Sequence, residues 1–191
     1  KKANIIFIKK EEGIYMFKKF YCFLFHRIIN KTPESFRKLR SWCVKKFILS
    51  SGKNLNIGRK CKIHKNTIIL DNSGIGYGWE IPNGGKIGKN VMMGPNVIMF
   101  TQNHNTSNIE VPMRLQGMRE LLPIIIEDDV WIGARVCILP GVKIGKGAVI
   151  GACAVVSKNV PDYAVLVGNP GKIVKYRNLT NEVIMDAKME N

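Results

Sequence analysis

A chain of 191 residues has room for one main domain and a small appendage, and 46% hydrophobic residues suffice for a buried core. The net charge of +16 is concentrated in residues 1–50, which hold 13 Lys and Arg against 3 Asp and Glu. This basic segment suits anionic partners, but the sequence contains no recognisable nucleic-acid-binding module, so we expect no nucleic acid partner.

Two short helices are predicted in this basic segment, over residues 14–30 and 33–50. Thr32 is the expected N-cap of the second helix, and Glu34 is suited to the positive end of its dipole. The longest apolar stretch, residues 20–29, is too short to span a bilayer. We therefore expect a cytoplasmic protein.

The first predicted helix mixes aromatic and basic residues, a composition that suits the interface between a membrane and water. The sequence leaves two alternatives open: peripheral membrane contact through residues 14–46, or packing of the aromatic side chains against the domain that follows. The residues concerned are Phe17, Phe20, Tyr21, Phe23, Leu24 and Phe25, with Lys18, Lys19 and Arg27.

From residue 57 onward the sequence repeats with a period of six. Aliphatic residues recur at one position, and small or β-branched residues recur four places later, with Trp79 as the large exception. Both positions point inward in a unit made of a strand and a turn, and three units close one triangular coil. The aliphatic runs are Ile57, Ile63, Ile69, Ile75, Ile81, Ile87, Met93 and Met99, then Ile126, Ile132, Ile138, Ile144, Ile150 and Val156.

Glycine often follows the aliphatic residue of a hexad, as at Gly58 and Gly94. We expect these glycines to adopt turn conformations that a Cβ would forbid. The repeat is interrupted between Met99 and Ile126, which are 27 residues apart, a spacing that is not a multiple of six. Residues 101–123, polar and punctuated by prolines, are therefore predicted to form a loop expelled from the coils, and such loops often carry function.

Of the three histidines, only His104 lies in this loop. We expect a packing or surface role for His26 and a solvated turn position for His64, directly after Ile63. A neutral imidazole can take up a proton near neutral pH, so the position of His104 in this loop makes it a candidate functional residue. The five cysteines are scattered without C-x-x-C spacing, which predicts free, buried or half-buried thiols and no metal site.

The repeat, over residues 57–175, resembles that of the hexapeptide-repeat acyltransferases, which form left-handed parallel β-helices. The letters V-W-I-G-A at residues 130–134 are similar to the family's V-W-I-G-[SA] segment, and residues 168–175 are similar to its G-x-P-[AG]-[KR]-x-x-[KR] ending. The resemblance implies a mainly β fold, with the coil domain over 51–178 after a helical segment, and a helix is predicted in the tail, 179–191.

The resemblance also implies acetyl-CoA-dependent O-acetylation by a homotrimer, with each active site between two subunits and no metal. His104 would be the catalytic base, and Asn103 and Asn105 would contact the acceptor. A backbone N–H near Gly133 or Ala134 would stabilise the oxyanion. The implied cofactor-binding residues are Trp131, Gly133, Ala134, Ala152, Ser157, Lys158, Lys172 and Lys175.

The motifs do not determine the acceptor. The most similar subgroups are the O-acetyltransferases of sugars and polysaccharides and the maltose and galactoside acetyltransferases, which implies a sugar hydroxyl, although the helical motif of the latter group is absent from residues 1–50. A small acceptor such as serine or a xenobiotic, and a non-catalytic β-helix scaffold, are the alternatives. A γ-type carbonic anhydrase shares the fold but needs three histidines converging on a metal.

Overall fold

The computed structural model describes residues 16–177. Helix α1 spans 16–27 and helix α2 spans Arg37–Phe47, with short 3₁₀ turns at Ile29–Lys31 and Glu34–Phe36 between them. Within the described range no helix has the length and apolar character that crossing a membrane requires. Residues 1–15 and the predicted C-terminal helix lie outside the described residues.

After α2 the chain winds into triangular coils, each contributing one short strand to each of three sheets of parallel strands. Sheet 1 has the strand order β1-β4-β7-β10-β13, sheet 2 has β2-β5-β8-β11-β14-β16-β17, and sheet 3 has β3-β6-β9-β12-β15. The strands are β1 (Ser50–Ser51), β2 (Asn56–Ile57), β3 (Lys62–Ile63), β4 (Ile68–Ile69), β5 (Gly74–Ile75), β6 (Glu80–Ile81), β7 (Gly85–Ile87), β8 (Met92–Met93), β9 (Ile98–Met99), β10 (Ile124–Ile126), β11 (Trp131–Ile132), β12 (Cys137–Ile138), β13 (Lys143–Ile144), β14 (Val149–Ile150), β15 (Val155–Val156), β16 (Ala164–Val167) and β17 (Lys172–Tyr176).

Successive coils stay in register with a period of 18 residues, as where Ile57 pairs with Ile75. Across the interruption Met99 pairs with Ile138, 39 residues further on, so 21 residues are inserted without disturbing the stack. The core confirms the hexad pattern: the aliphatic positions are buried except for the half-buried Met93. Trp79 fits inside because its Nε1 donates to the Gly94 carbonyl at 2.5 Å.

The glycines after the aliphatic residues are required by the close approach of adjacent coils, not by their own backbone angles. A Cβ at Gly58 would lie 2.6 Å from the carbonyl carbon of Gly76, and one at Gly94 would lie 2.6 Å from the Ala134 nitrogen. The left-handed conformation falls two residues later, as at Asn96 with φ 57°. The expectation that these glycines supply the turn conformation was therefore wrong, because asparagine tolerates it.

The two helices close the first coil, where β2 and β3 are edge strands with unpaired backbone groups. The Ile57 N–H donates to Ser41 Oγ at 3.2 Å, and the Ile57 carbonyl accepts from Arg40 Nε at 2.9 Å. Asn30 accepts from the Cys61 N–H at 2.8 Å and donates to the Cys61 carbonyl at 2.7 Å. Side chains from the helical segment thus replace the missing neighbouring coil.

His26 serves the same purpose in sheet 3. Its Nε2 accepts from the Ile63 N–H at 3.2 Å, and its Nδ1 lies 2.8 Å from the Cys22 carbonyl. Both contacts are satisfied when the proton is on Nδ1. This agrees with the packing role expected for His26.

Thr32 does not cap the second helix, because its hydroxyl donates to the Ile29 carbonyl at 2.6 Å. The buried Arg40 organises this junction instead: its guanidinium donates to the Thr32 carbonyl at 3.1 Å and to the Glu34 carboxylate at 3.0 Å. A hydrogen bond from Arg37, with the charges around it, lowers the pKa of the Glu34 carboxyl.

We expect Arg40→Met to lower the free energy of unfolding by about 3 kcal/mol, because buried carbonyls at Ile57 and Thr32 lose their donor. Arg37→Met is the matched control: Arg37 pairs with the same Glu34 carboxylate but is exposed, so its loss should cost within about 0.5 kcal/mol. Urea unfolding measures both variants. Equal unfolding midpoints for the two variants would contradict the capping role.

Candidate active site

The expelled loop leaves the stack after β9 of sheet 3 and returns at β10 of sheet 1, so it projects from the vertex between these two sheets. Its stem is a short antiparallel ladder. His104 bridges to Met118, the Asn105 N–H donates to the Gly117 carbonyl at 2.9 Å, and the Arg119 N–H donates to the Asn103 carbonyl at 2.8 Å. The backbone around His104 is therefore fixed on both sides.

The base and the tip of the loop are also held by hydrogen bonds. At the base, the Leu122 N–H donates to the carbonyl of the buried Thr101 at 2.8 Å. Near the tip, Gln116 Nε2 donates to the Asn108 carbonyl at 2.7 Å and to the Val111 carbonyl at 2.6 Å. Hydrogen bonds therefore hold the loop, which we call the platform, both at its base and near its tip.

The His104 side chain is exposed on this platform, and within residues 16–177 its ring makes no hydrogen bond. A histidine that acts as a base needs a group to orient its ring. Among the described residues of this chain, none fills that role. Asn103 and Asn105 flank His104 on the same stem, as exposed and half-buried residues respectively.

Sheet 2 carries the next set of predicted residues. Trp131 is the first residue of β11 and its side chain is 52% exposed. Gly133 and Ala134 follow at the vertex between sheets 2 and 3, and Ala152 lies one coil further on. A Cβ at Gly133 would lie 2.6 Å from the Ala152 nitrogen, so this vertex is a narrow shelf of small residues beside Trp131.

The two expected oxyanion donors differ in their availability. The Gly133 N–H donates to the Ile150 carbonyl at 2.8 Å as part of the ladder between coils, so it is engaged. The Ala134 N–H has no acceptor in the described part of the chain, which leaves it as the candidate donor.

The remaining predicted cofactor residues fall into two places. Lys172 and Lys175 are exposed on β17, which pairs antiparallel with β16 and extends sheet 2. Ser157 and Lys158 are exposed at the vertex between sheets 3 and 1, from which the loop departs two coils earlier.

In the triangular cross-section, the vertex that carries the His104 loop stands opposite sheet 2, which carries Trp131. A single chain therefore does not bring the predicted base and the predicted tryptophan together. It places His104, Ser157 and Lys158 at the vertex between sheets 3 and 1, Trp131 on the opposite sheet, and the shelf at the neighbouring vertex between sheets 2 and 3.

A cleft of about 600 Å³, which the sequence did not predict, runs along sheet 3 below the loop. Helix α1 forms one wall through Cys22 and His26, and Thr101 and Gln102 at the base of the loop form the upper end. The cleft exists because α1 packs on the edge of the first coil, a contact between distant segments. The only sequence signal was the four-residue spacing of Cys22 and His26, which places them on one face of a helix.

His64 lies in the wall of this cleft rather than at a solvated turn, so that expectation was wrong. Its Nδ1 accepts from the Asn66 N–H at 3.1 Å. Burial lowers the pKa of the His64 imidazole, and the positive charge of Lys65 lowers it further. His64 therefore favours the neutral form.

All five cysteines are free thiols, and burial raises the pKa of Cys43 and Cys61 to about 11. These two thiols are poor nucleophiles at neutral pH. Cys153 is exposed, in contrast to the burial expected for it. Within residues 16–177 no group of three or more His, Cys, Asp or Glu side chains is placed to hold a metal ion.

Comparison with known proteins agrees with this architecture. The profile described as "Bacterial transferase hexapeptide (six repeats)" matches residues 123–158. The "Putative acetyltransferase YJL218W" of Saccharomyces cerevisiae is 36% identical over 152 residues, which cover 76% of this chain and 71% of that protein. The galactoside O-acetyltransferase of Lactococcus lactis subsp. lactis is 37% identical over 119 residues, covering 62% of this chain and 51% of that protein.

The solved structure of a galactoside acetyltransferase in complex with coenzyme A shares the fold. The two superpose with a TM-score of 0.63 and 24% sequence identity, over 87% of this chain and 82% of that one.

Proposed function

The chain belongs to the hexapeptide-repeat acetyltransferases, and from that premise we propose that it transfers an acetyl group from acetyl-CoA to a hydroxyl of a sugar or polysaccharide precursor, with His104 as general base. The observation that carries this proposal is the position of His104. It is the one histidine on the loop that interrupts the repeat, and a backbone ladder holds it in an exposed position.

In the proposed reaction, the His104 imidazole takes the proton of the acceptor hydroxyl as its oxygen attacks the thioester carbonyl. The new C–O bond forms first, and the negative charge moves onto the carbonyl oxygen, where the Ala134 N–H is the proposed donor. The C–S bond then breaks and the imidazolium returns its proton to the leaving thiolate. No acyl group is attached to the protein at any step.

Coenzyme A is proposed as the donor because the shelf beside Trp131 carries only small residues, and the exposed lysines are suited to its phosphates. Ser157, Lys158, Lys172 and Lys175 are the candidates for these contacts. The galactoside acetyltransferase that shares the fold was solved with coenzyme A bound. A sugar acceptor is proposed because curated relatives are galactoside O-acetyltransferases.

We expect His104→Ala and His104→Asn to lower kcat for acetyl transfer by about 10²–10⁴-fold, because the hydroxyl proton loses its acceptor. The Michaelis constants and the affinity for coenzyme A should change little. Stability should change by within about 0.5 kcal/mol, because the side chain is exposed. Thioester consumption with a panel of sugars, nucleotide sugars, serine and chloramphenicol measures kcat and identifies the acceptor.

Turnover of either variant within about threefold of the unmodified protein would show that His104 is not the base. Absence of thioester consumption by the unmodified protein, together with absence of coenzyme A binding, would favour the non-catalytic scaffold instead.

A homotrimer is proposed because the vertex that carries the predicted base stands opposite the sheet that carries Trp131. The contact that joins the vertex of one copy to sheet 2 of the next is heterologous, and it forms a closed ring when the rotation between copies closes after three, as the resemblance implies. We expect light scattering to give three times the mass of the 21.5 kDa chain. A stable monomer with full activity would contradict the shared site.

We further propose that the protein is cytoplasmic and contacts the inner face of a membrane through α1 and α2. Phe25 is buried against the first coil, whereas Phe17 and Phe20 are 66% and 56% exposed. On α2, Trp42 is 48% exposed, and Lys46 Nζ lies 5.6 Å from the centre of its ring. Exposed aromatic residues among basic ones suit an anionic lipid surface.

The change that tests this contact is the double variant Phe17→Asp with Phe20→Asp. We expect its partitioning into phosphatidylglycerol-containing vesicles to fall by at least about tenfold, because apolar area is lost and like charge is added. The control variant, Ile109→Asp with Met113→Asp, removes equally exposed apolar residues from the loop. Co-sedimentation compares them, and equal partitioning of both variants would exclude the contact.

A further inference from the structure

A second cavity of about 520 Å³ lies between α1 and the first coil, and it adjoins the cleft below the loop. We call it the groove. Cys22, His26 and Lys65 line both cavities, so the groove and the cleft share a wall and meet at these residues. Together they lead from the end of α1 to Thr101 and Gln102, the base of the loop that presents His104.

The groove combines apolar walls with basic rims. Phe23, Phe47 and Leu49 supply the apolar surface, and Leu49 is 59% exposed. Among residues 16–177, the charged side chains that line the groove are all basic. The charged residues are Lys18, Lys19, Arg27 and Lys65.

The described residues that line the cleft carry less net positive charge than those that line the groove. The one carboxylate among these cleft residues, Glu80, is paired with Lys62 at 2.5 Å. It also contains His64, whose ring nitrogen Nδ1 is already used by the Asn66 N–H. In the cleft, Gln102 and the Lys62–Glu80 pair offer hydrogen bonds to a hydroxyl-bearing group, whereas the groove suits an apolar chain that carries an anion.

We propose that the groove and the cleft bind an amphiphilic acceptor: an apolar chain ending in a phosphate ester, with the hydroxyl-bearing group beyond the phosphate. The apolar chain lies against Phe23, Phe47 and Leu49. The phosphate lies among the basic residues that line the groove, and the hydroxyl-bearing group extends under the loop toward His104. This inference rests on the proposed acetyl transfer and specifies its acceptor as a lipid-linked sugar phosphate.

The position of the groove supports this substrate class. Helix α1 forms one wall of the groove and also carries the exposed Phe17 and Phe20. A lipid-linked acceptor in a membrane that contacts these two residues would therefore lie beside the groove. A free sugar needs only the cleft and leaves the apolar groove exposed to water, which is unfavourable. A free sugar phosphate would use the basic residues but not the apolar wall.

The test is calorimetric binding of dodecyl phosphate to the full chain without any acyl donor, below the critical micelle concentration. We expect dodecyl phosphate to bind at least about tenfold more tightly than inorganic phosphate, because the chain buries apolar area. It should also bind more tightly than dodecyl glucoside, which lacks the negative charge. Leu49→Glu should weaken dodecyl phosphate binding by at least about tenfold, because it places a carboxylate in the apolar wall.

Leu39→Glu is the matched control, since Leu39 is a partly exposed leucine on α2 outside both cavities, and binding should stay within about twofold. Equal affinities for dodecyl phosphate and inorganic phosphate would overturn the proposal, as would equal effects of the two substitutions. Absence of dodecyl phosphate binding, as expected if a peptide segment fills the groove, would also overturn it. Because no acyl donor is present, the result is independent of whether His104 catalyses acetyl transfer.

Discussion

Backbone hydrogen bonds that run along the axis of the stack hold each coil to the next. The Gly58 N–H donates to the Ile75 carbonyl, and the Gly94 N–H donates to the Ile132 carbonyl, both at 2.7 Å. This ladder requires equivalent residues to stay in register, and it leaves unpaired groups at each end. The two helices are needed at the first coil for that reason, and the loop is tolerated because it leaves and returns at one vertex.

The same constraint explains how much the sequence could predict. A period of six is a local signal, so it identified the coils, the buried positions and the limits of the loop. That the coil winds to the left remains a prediction from the resemblance. Thr32 was misplaced because its hydroxyl bonds the Ile29 carbonyl of the preceding turn, and His64 was misplaced because the cleft around it includes Cys22, His26 and Thr101, which are distant in the chain. The cleft was missed for a similar reason: it forms only where α1 packs on the first coil.

The site residues show the limit of sequence reasoning most clearly. The motifs identify His104 and residues 130–134 separately, but they do not show which side of the coil stack each residue occupies. The structure separates them, with the loop at one vertex and Trp131 on the opposite sheet. In the proposed trimer, one chain would supply the base and the next would supply the donor site. The groove and the cleft end at the loop, so the acceptor would reach the site beside His104.

Mixing two inactive variants tests this shared site most directly. His104→Ala removes the proposed base, and Ala152→Trp blocks the small-residue shelf at the vertex between sheets 2 and 3. If neighbouring chains share each site, unfolding and refolding the two variants together restores intact sites in mixed trimers. Random assembly from equal amounts predicts about a quarter of the activity of the unmodified protein. Activity no greater than the sum of the two separate variants would show that the site does not form between chains.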